Sequence, residues 1–159
     1  MADTQVAGLS TLGMRLFYAV ESSAGSKPSS FKELSRINAI GGISIDVETI
    51  DASALIDTTT KSIAGRGDTG GNFSITVNAT EDTIAEWKTL ISEYIAGKAD
   101  GKQTWFEVYH PDLDDAFFIV AEPPREVPMP EVSQNELLTV EFTMIINDYK
   151  GLDTAIIPS

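Results

Sequence analysis

Residues 104–121, TWFEVYHPDLDDAFFIVA, decide the reading of the fold. Thr104-Trp105-Phe106-Glu107-Val108-Tyr109 is aromatic and β-branched, the composition of a strand, and His110-Pro111 stops it. Ala116-Phe117-Phe118-Ile119-Val120-Ala121 is a continuous apolar run, the mark of a central strand. The short acidic link Pro111-Asp112-Leu113-Asp114-Asp115 reads as a hairpin turn, so the two strands run antiparallel.

Working outward, the preceding segment is helical. Ile84, Trp87, Leu90/Ile91 and Tyr94/Ile95 recur at helical spacing and form one stripe over 81–96. Asn78 or Thr80 can cap its start, Glu81 and Asp82 suit its first turn, and Gly97 and Lys98 suit its end. Further upstream, Met14 to Val20 reads as a first strand and Phe31 to Leu34 as a short helical turn. Ile43 to Thr49 alternates, with Ile43, Ile45 and Val47 on one face of a half-buried strand. Residues 50–72 form the least regular part, a long glycine-bearing loop, although Thr58 to Ile63 can be extended. Asn72 to Asn78 alternates again, apolar at Phe73, Ile75 and Val77. Downstream, Pro123, Pro124, Pro128 and Pro130 keep 122–136 extended and outside a sheet centre. Leu137 to Asn147 reads as the longest strand, apolar at Leu138, Val140, Phe142 and Met144. The expectation is a mainly β domain over 14–147, an antiparallel sandwich or barrel with one flanking helix. An N-terminal arm of 1–13 and a C-terminal tail of 148–159 flank it.

The 159 residues hold 24 Asp and Glu against 11 Lys and Arg, a formal charge of −13. The imbalance sits in the second half: residues 1–80 carry −2 and residues 81–159 carry −11. That excludes a basic nucleic-acid footprint. It leaves either a solubilising surface or one that must not stick to a polyanion. With no cysteine and a single histidine, His110, a disulfide framework and a multi-histidine or thiolate metal centre are excluded. No apolar run approaches a membrane span. Met1 to Gln5 lacks the basic start of a signal peptide, so the sequence-level expectation is synthesis in a cytoplasm.

Residues that look like chemistry do not assemble into a site. Gly65, Gly67 and Gly70 fit the dinucleotide spacing G-x-G-x-x-G, but a strand follows them where that motif needs a helix. Asp68-Thr69-Gly70 resembles an aspartic-protease triplet without its required second copy. Arg66-Gly67-Asp68 is a three-residue match of the kind chance supplies. The simple reading is a turn that needs positive φ. Asp112, Asp114 and Asp115 lack the glycine and the acid of a calcium loop, since Phe117 and Pro123 stand in those places. His110 has no nucleophile elbow beside it. Trp87 and Trp105 read as core. No catalytic residue, cofactor or metal is expected.

The order of segments is more informative. Gly41-Gly42-Ile43-Ser44-Ile45 leads into Glu48-Thr49-Ile50-Asp51, a polar loop, Ile63-Ala64-Gly65 and a Gly-Asp turn. A strand from Phe73 to Val77, a helix from Glu81 and a β-rich second half follow. Over roughly residues 10–147 this pattern resembles the major tail protein, or tail tube protein, of long non-contractile phage tails. Type VI secretion tube proteins share that family's fold. The resemblance implies a non-enzymatic subunit of stacked hexameric rings, with an acidic lumen that conducts DNA into the host. It implies assembly in the host bacterial cytoplasm and residence in the virion. It implies a tail tape measure protein, a tail terminator and tail tip proteins as partners, and no membrane insertion. The loop after the second strand would stack rings, through Asp51, Leu55, Ile56, Lys61, Ile63, Arg66 and Asp68. Asp46, Glu48, Glu107 and Glu141 sit among alternating residues whose other face is apolar, and in such a ring they would face the lumen. Two alternatives accompany this reading. One is the tube of a tail-like bacteriocin or type VI-like system, and the other is a monomeric β-barrel that binds a small ligand.

Overall fold

The hairpin anticipated from residues 104–121 is the centre of a seven-stranded sheet. The computed structural model describes residues 8–158. Its elements, in chain order, are β1 (Arg15–Val20), β2 (Lys32–Leu34), β3 (Ile37–Ile40), β4 (Asp46–Asp51), β5 (Ser62–Asp68) and β6 (Asn72–Asn78), followed by α1 (Glu81–Ala99), β7 (Thr104–Tyr109), β8 (Asp115–Glu122) and β9 (Thr139–Thr154). The main sheet runs β2-β1-β7-β8-β9-β6-β3, and β4 and β5 form a separate two-stranded ribbon. Every paired neighbour is antiparallel. The fold is mainly β with one flanking helix, as the patterning indicates.

The sheet has apolar clusters on both faces, and alternation sorts side chains between them. In β1, Leu16 and Tyr18 join the cluster under the helix, whereas Phe17 and Ala19 join the cluster on the opposite face. In β8, Ile119 and Ala121 enter the first cluster and Ala116, Phe118 and Val120 the second. Burial on both sides explains the unbroken apolar run there. Strands β6 and β9 are covered on one face only and therefore alternate: Phe73, Ile75, Val77, Val140, Phe142 and Met144 point inward.

Helix α1 closes the first cluster. Thr80 caps it: its hydroxyl accepts the Thr83 N–H at 3.1 Å, and the Thr83 hydroxyl accepts the Thr80 N–H at 2.8 Å. Trp87 stacks on Phe142 with centroids 3.9 Å apart and planes at 8°. The helix does not stop at Gly97. A Cβ there would lie 2.6 Å from Val20 Cγ1, so glycine lets the helix approach β1, and the chain leaves the helix through Gly101 at φ +75°. Ile95, expected in the stripe, is exposed.

Three further expectations are corrected. Residues 32–34 form a strand and not a helical turn, because Leu34 and Lys32 pair with Leu16 and Tyr18 of β1. The strand predicted over 43–49 begins at Asp46 and is exposed throughout, since it leaves the main sheet and pairs only with β5. The last strand does not end at Asn147. It continues to Thr154 because β8 offers a partner along Asp148 to Thr154, with register shifts that add bend and twist. Gly151 sits at one shift with φ +77°.

Candidate assembly surface

Among the described residues, β4 and β5 pair with each other and with no strand of the main sheet. Residues 44–56 and 58–64 are exposed without interruption. Ile50 pairs directly with Ile63, and each is about half exposed. Gly65 and Gly67 lie within β5 and seat Ile50 of β4 and Ile45 just before it. A Cβ on Gly65 would meet Ile50 Cδ1 at 3.1 Å, and one on Gly67 would meet Ile45 Cγ2 at 2.8 Å. The positive-φ reading of this glycine run therefore holds only for Gly70 and Gly71, which turn the chain into β6. Asp68 braces that turn by accepting the Gly70 N–H at 2.9 Å.

The ribbon's distal loop satisfies its own polar groups. Asp51 accepts the Ser53 N–H at 2.9 Å, Asp57 accepts the Ala54 N–H at 2.7 Å, and Ser53 Oγ accepts the Lys61 N–H at 2.8 Å. The Asp51 carboxyl is held below its ordinary value chiefly by that Ser53 N–H. Leu55 and Ile56 are left at 106% and 90% relative exposure. All seven residues expected in the stacking loop, Asp51, Leu55, Ile56, Lys61, Ile63, Arg66 and Asp68, are exposed on this ribbon. A two-stranded ribbon is marginal alone, and clustered exposed aliphatics mark an interaction surface.

At the foot of the ribbon the curled sheet opens into a cleft of about 560 Å³. Ile37, Ile40, Phe73, Val108, Phe117 and Tyr149 contribute its apolar wall, with Gly41 to Ile43 at the rim. Arg15 is its charged lining residue. Strand β3, which lines the cleft, pairs only with β6 among the described residues.

Of the expected lumen residues, Asp46 and Glu48 are exposed on the ribbon, and Asp46 lies directly opposite Asp68. Glu141 is exposed on the polar outer face of β6 and β9, opposite Thr76. Glu107 is not on the surface. It is fully buried in the second cluster's face of β7, between Phe17 and Phe118 in register. Its Oε2 accepts the Ile156 N–H at 2.9 Å and its Oε1 has no partner among the described residues. Burial pushes its carboxyl up to about 6, against the pull of the Ile156 N–H and of Lys27. The expected C-terminal tail is thus partly structural, because Ala155 and Ile156 cover the second cluster. Nearby Glu21 shows the opposite balance. Burial works to raise it, but the Gln103, Trp105 and Gly25 N–H donors hold it below its ordinary value.

His110 is tied into its own turn. Asp112 donates its N–H to His110 Nδ1 at 3.0 Å, and the other ring nitrogen meets the Ser10 carbonyl. Among the described residues, no three His, Asp or Glu side chains converge as a metal site would require. Among the same residues, no helix is long and apolar enough to cross a membrane.

No protein-family model matches the chain, and no curated protein matches it in sequence. Solved structures do resemble it. A chain from the tail of an empty GTA particle, computed with helical refinement and C6 symmetry, shares the fold at a TM-score of 0.50 and 19% identity, over 79% of this chain and 86% of that one. A chain of the native gene transfer agent virion aligns at a TM-score of 0.45 and 20% identity, covering 79% and 88%. A chain of the sixfold-symmetrised anti-feeding prophage baseplate aligns at 0.44 and 10% identity, covering 89% and 91%.

Proposed function

We propose that the chain is a structural subunit of a phage-type tail tube. Copies associate side by side into hexameric rings, and rings stack along an axis to form a channel through which DNA passes. The observation that carries this reading is the β4–β5 ribbon, paired only within itself among the described residues and carrying Leu55 and Ile56 at nearly full exposure. The fold shared with a chain from the tail of an empty GTA particle computed with helical refinement and C6 symmetry supports it. The role asks for no catalysis, cofactor or metal. Its place is the virion, and its first partner is itself. Asp46, Glu48 and Glu141 would present repeated carboxylates to the channel. Charge of that sign opposes adsorption of the phosphate backbone, by the Coulomb term that makes basic grooves bind it.

Sedimentation velocity over a concentration series tests the reading. The expected outcome is growth from small species to very large ones without a plateau at dimer. A monomer at all concentrations would overturn it. The cleft of about 560 Å³ favours a second reading, a monomeric β module that holds a small apolar ligand. That reading requires a folded monomer that releases an extractable ligand or binds apolar probes.

A further inference from the structure

Glu107 is fully buried, and the backbone group that bonds its carboxyl comes from the segment after β9. We propose that Glu107 and residues 155–158 form a pH-sensitive strap: the segment lies shut over the second cluster while the carboxyl is protonated, and opens more often once it ionises. This does not depend on how copies assemble.

Glu107 stands in register between Phe17 and Phe118, on the face of β7 that the second cluster covers. The strap begins where β9 ends, at Thr154. Two of its backbone groups fasten it. The Ala155 N–H donates to the Asp114 carbonyl at 3.1 Å, and the Ile156 N–H donates to Glu107 Oε2 at 2.9 Å. Ala155 and Ile156 pack on the cluster, while Ile157 is half exposed. So short a segment, so lightly fastened, can open without the rest of the fold.

One of its two fastenings ends on a group that titrates. The neutral carboxyl has no charge to desolvate. The ionised one places charge on Oε1, which has no donor among the described residues. Lifting the strap lets water supply that donor.

The charges around the cluster do not replace it. Lys27, on the β1–β2 connection, lies 3.9 Å from the centroid of the Phe118 ring, and Asp153 of β9 holds it at 2.7 Å. Arg15 of β1 lies over Phe17 and is paired with Glu33 of β2. Lys150 of β9 lies over Trp105 and is paired with Asp148. Each of these cations therefore has a carboxylate of its own. Glu21 accepts the Trp105 indole N–H, Tyr109 stacks on Phe17, and Asp115 is exposed at the start of β8. The strap's own side chains, Ala155 to Pro158, do not titrate.

Burial raises the Glu107 carboxyl from 4.5 to about 6 against the pull of Lys27 and the Ile156 N–H. If opening restores the ordinary value, the closed strap is favoured below about 4.5 and loses that advantage as pH rises through about 6. The opening constant then grows about thirty-fold, ten to the power of that difference.

Hydrogen exchange of the Ile156 amide in the dilute chain, followed by nuclear magnetic resonance and expressed as protection relative to an unstructured peptide, tests the strap. Protection should fall about thirty-fold between about pH 4.5 and about pH 7.5, and should stay below that of the β7 amides throughout. In Glu107→Gln it should not vary with pH. His110 and the other carboxylates remain in that variant, so a fall that survives there belongs to them and overturns the proposal. Constant protection in the unmodified chain overturns it too, as does protection equal to that of β7, which would mean that the segment opens only with the whole fold. Should Glu107→Gln not fold, Lys27→Gln decides. Removing the facing cation should move the fall to higher pH, and a fall at the same or lower pH overturns the proposal.

Discussion

Replacing Glu107 by glutamine should shift relative stability in the variant's favour as the pH rises from acid to neutral. The carboxyl is fully buried and, among the described residues, has one N–H donor and leaves Oε1 without a partner. Its value is raised from 4.5 to about 6. The folded chain therefore holds this proton more tightly than the unfolded chain does. The contribution to stability is fully present below about 4.5 and is lost as pH rises through about 6. A difference of that size corresponds to ~2 kcal/mol. Glutamine is close in shape and does not titrate. Any fixed cost of its buried amide is the same at every pH, so the readout is the change in the gap between the two proteins. That gap should shift in the variant's favour by ~2 kcal/mol between about pH 4.5 and about pH 7.5. Glu21, Glu33 and Glu122 are held below their ordinary values and contribute in the opposite direction in acid. They are common to both proteins and cancel in the difference where they do not couple to residue 107. Urea titrations followed by fluorescence suit the test, because Trp87 and Trp105 are both buried. A gap that does not change with pH, or that moves against the variant as pH rises, would refute the assignment of Glu107 as a buried, ionisation-penalised group.

Trp87→Ala should cost ~3–5 kcal/mol, since the ring is fully buried and stacked on Phe142, and denaturant midpoints will show it. Deleting residues 148–159 should weaken the fold itself as well as assembly. It removes the β9 partners of β8 from Asp148 to Thr154 and uncovers Glu107 and the second cluster, and circular dichroism melts of the truncated chain measure this. Glu48→Lys combined with Glu141→Lys should leave monomer stability within ~0.5 kcal/mol, because both sites are exposed. Assembled tubes of that variant should retain added DNA that the unmodified tubes release, as filter retention at matched assembly yield would show.

Much of the β core is legible from residue pattern because burial and alternation act locally. Phe73, Ile75 and Val77 are separated from their polar neighbours by the pleat alone, and the structure buries all three. The helix is legible for the same reason, through Trp87, Leu90, Ile91 and Tyr94. What the pattern does not carry is the identity of the partner. Ile45 and Val47 alternate as a core strand would, yet Val47 lies on a ribbon strand and Ile45 just before it, and among the described residues that ribbon pairs with no strand of the main sheet. Glu107 alternates with apolar residues too, but β7 is covered on both faces, so the side opposite the first cluster is not solvent. The strand beyond Asn147 is hidden by Asp148, Lys150, Gly151 and Asp153, residues of low β-propensity held in register by β8. The cleft has no signature in the sequence at all, because it arises from curvature that brings Ile37, Phe117 and Tyr149 together from distant strands.

The most direct test of the account is a helical reconstruction by electron cryomicroscopy of the purified chain at high concentration. The account predicts hollow tubes of stacked sixfold rings, with the β4–β5 ribbon bridging successive rings and the main sheet as described. A chain that stays monomeric, or that closes into a twofold dimer with its ribbons still in solvent, would contradict it.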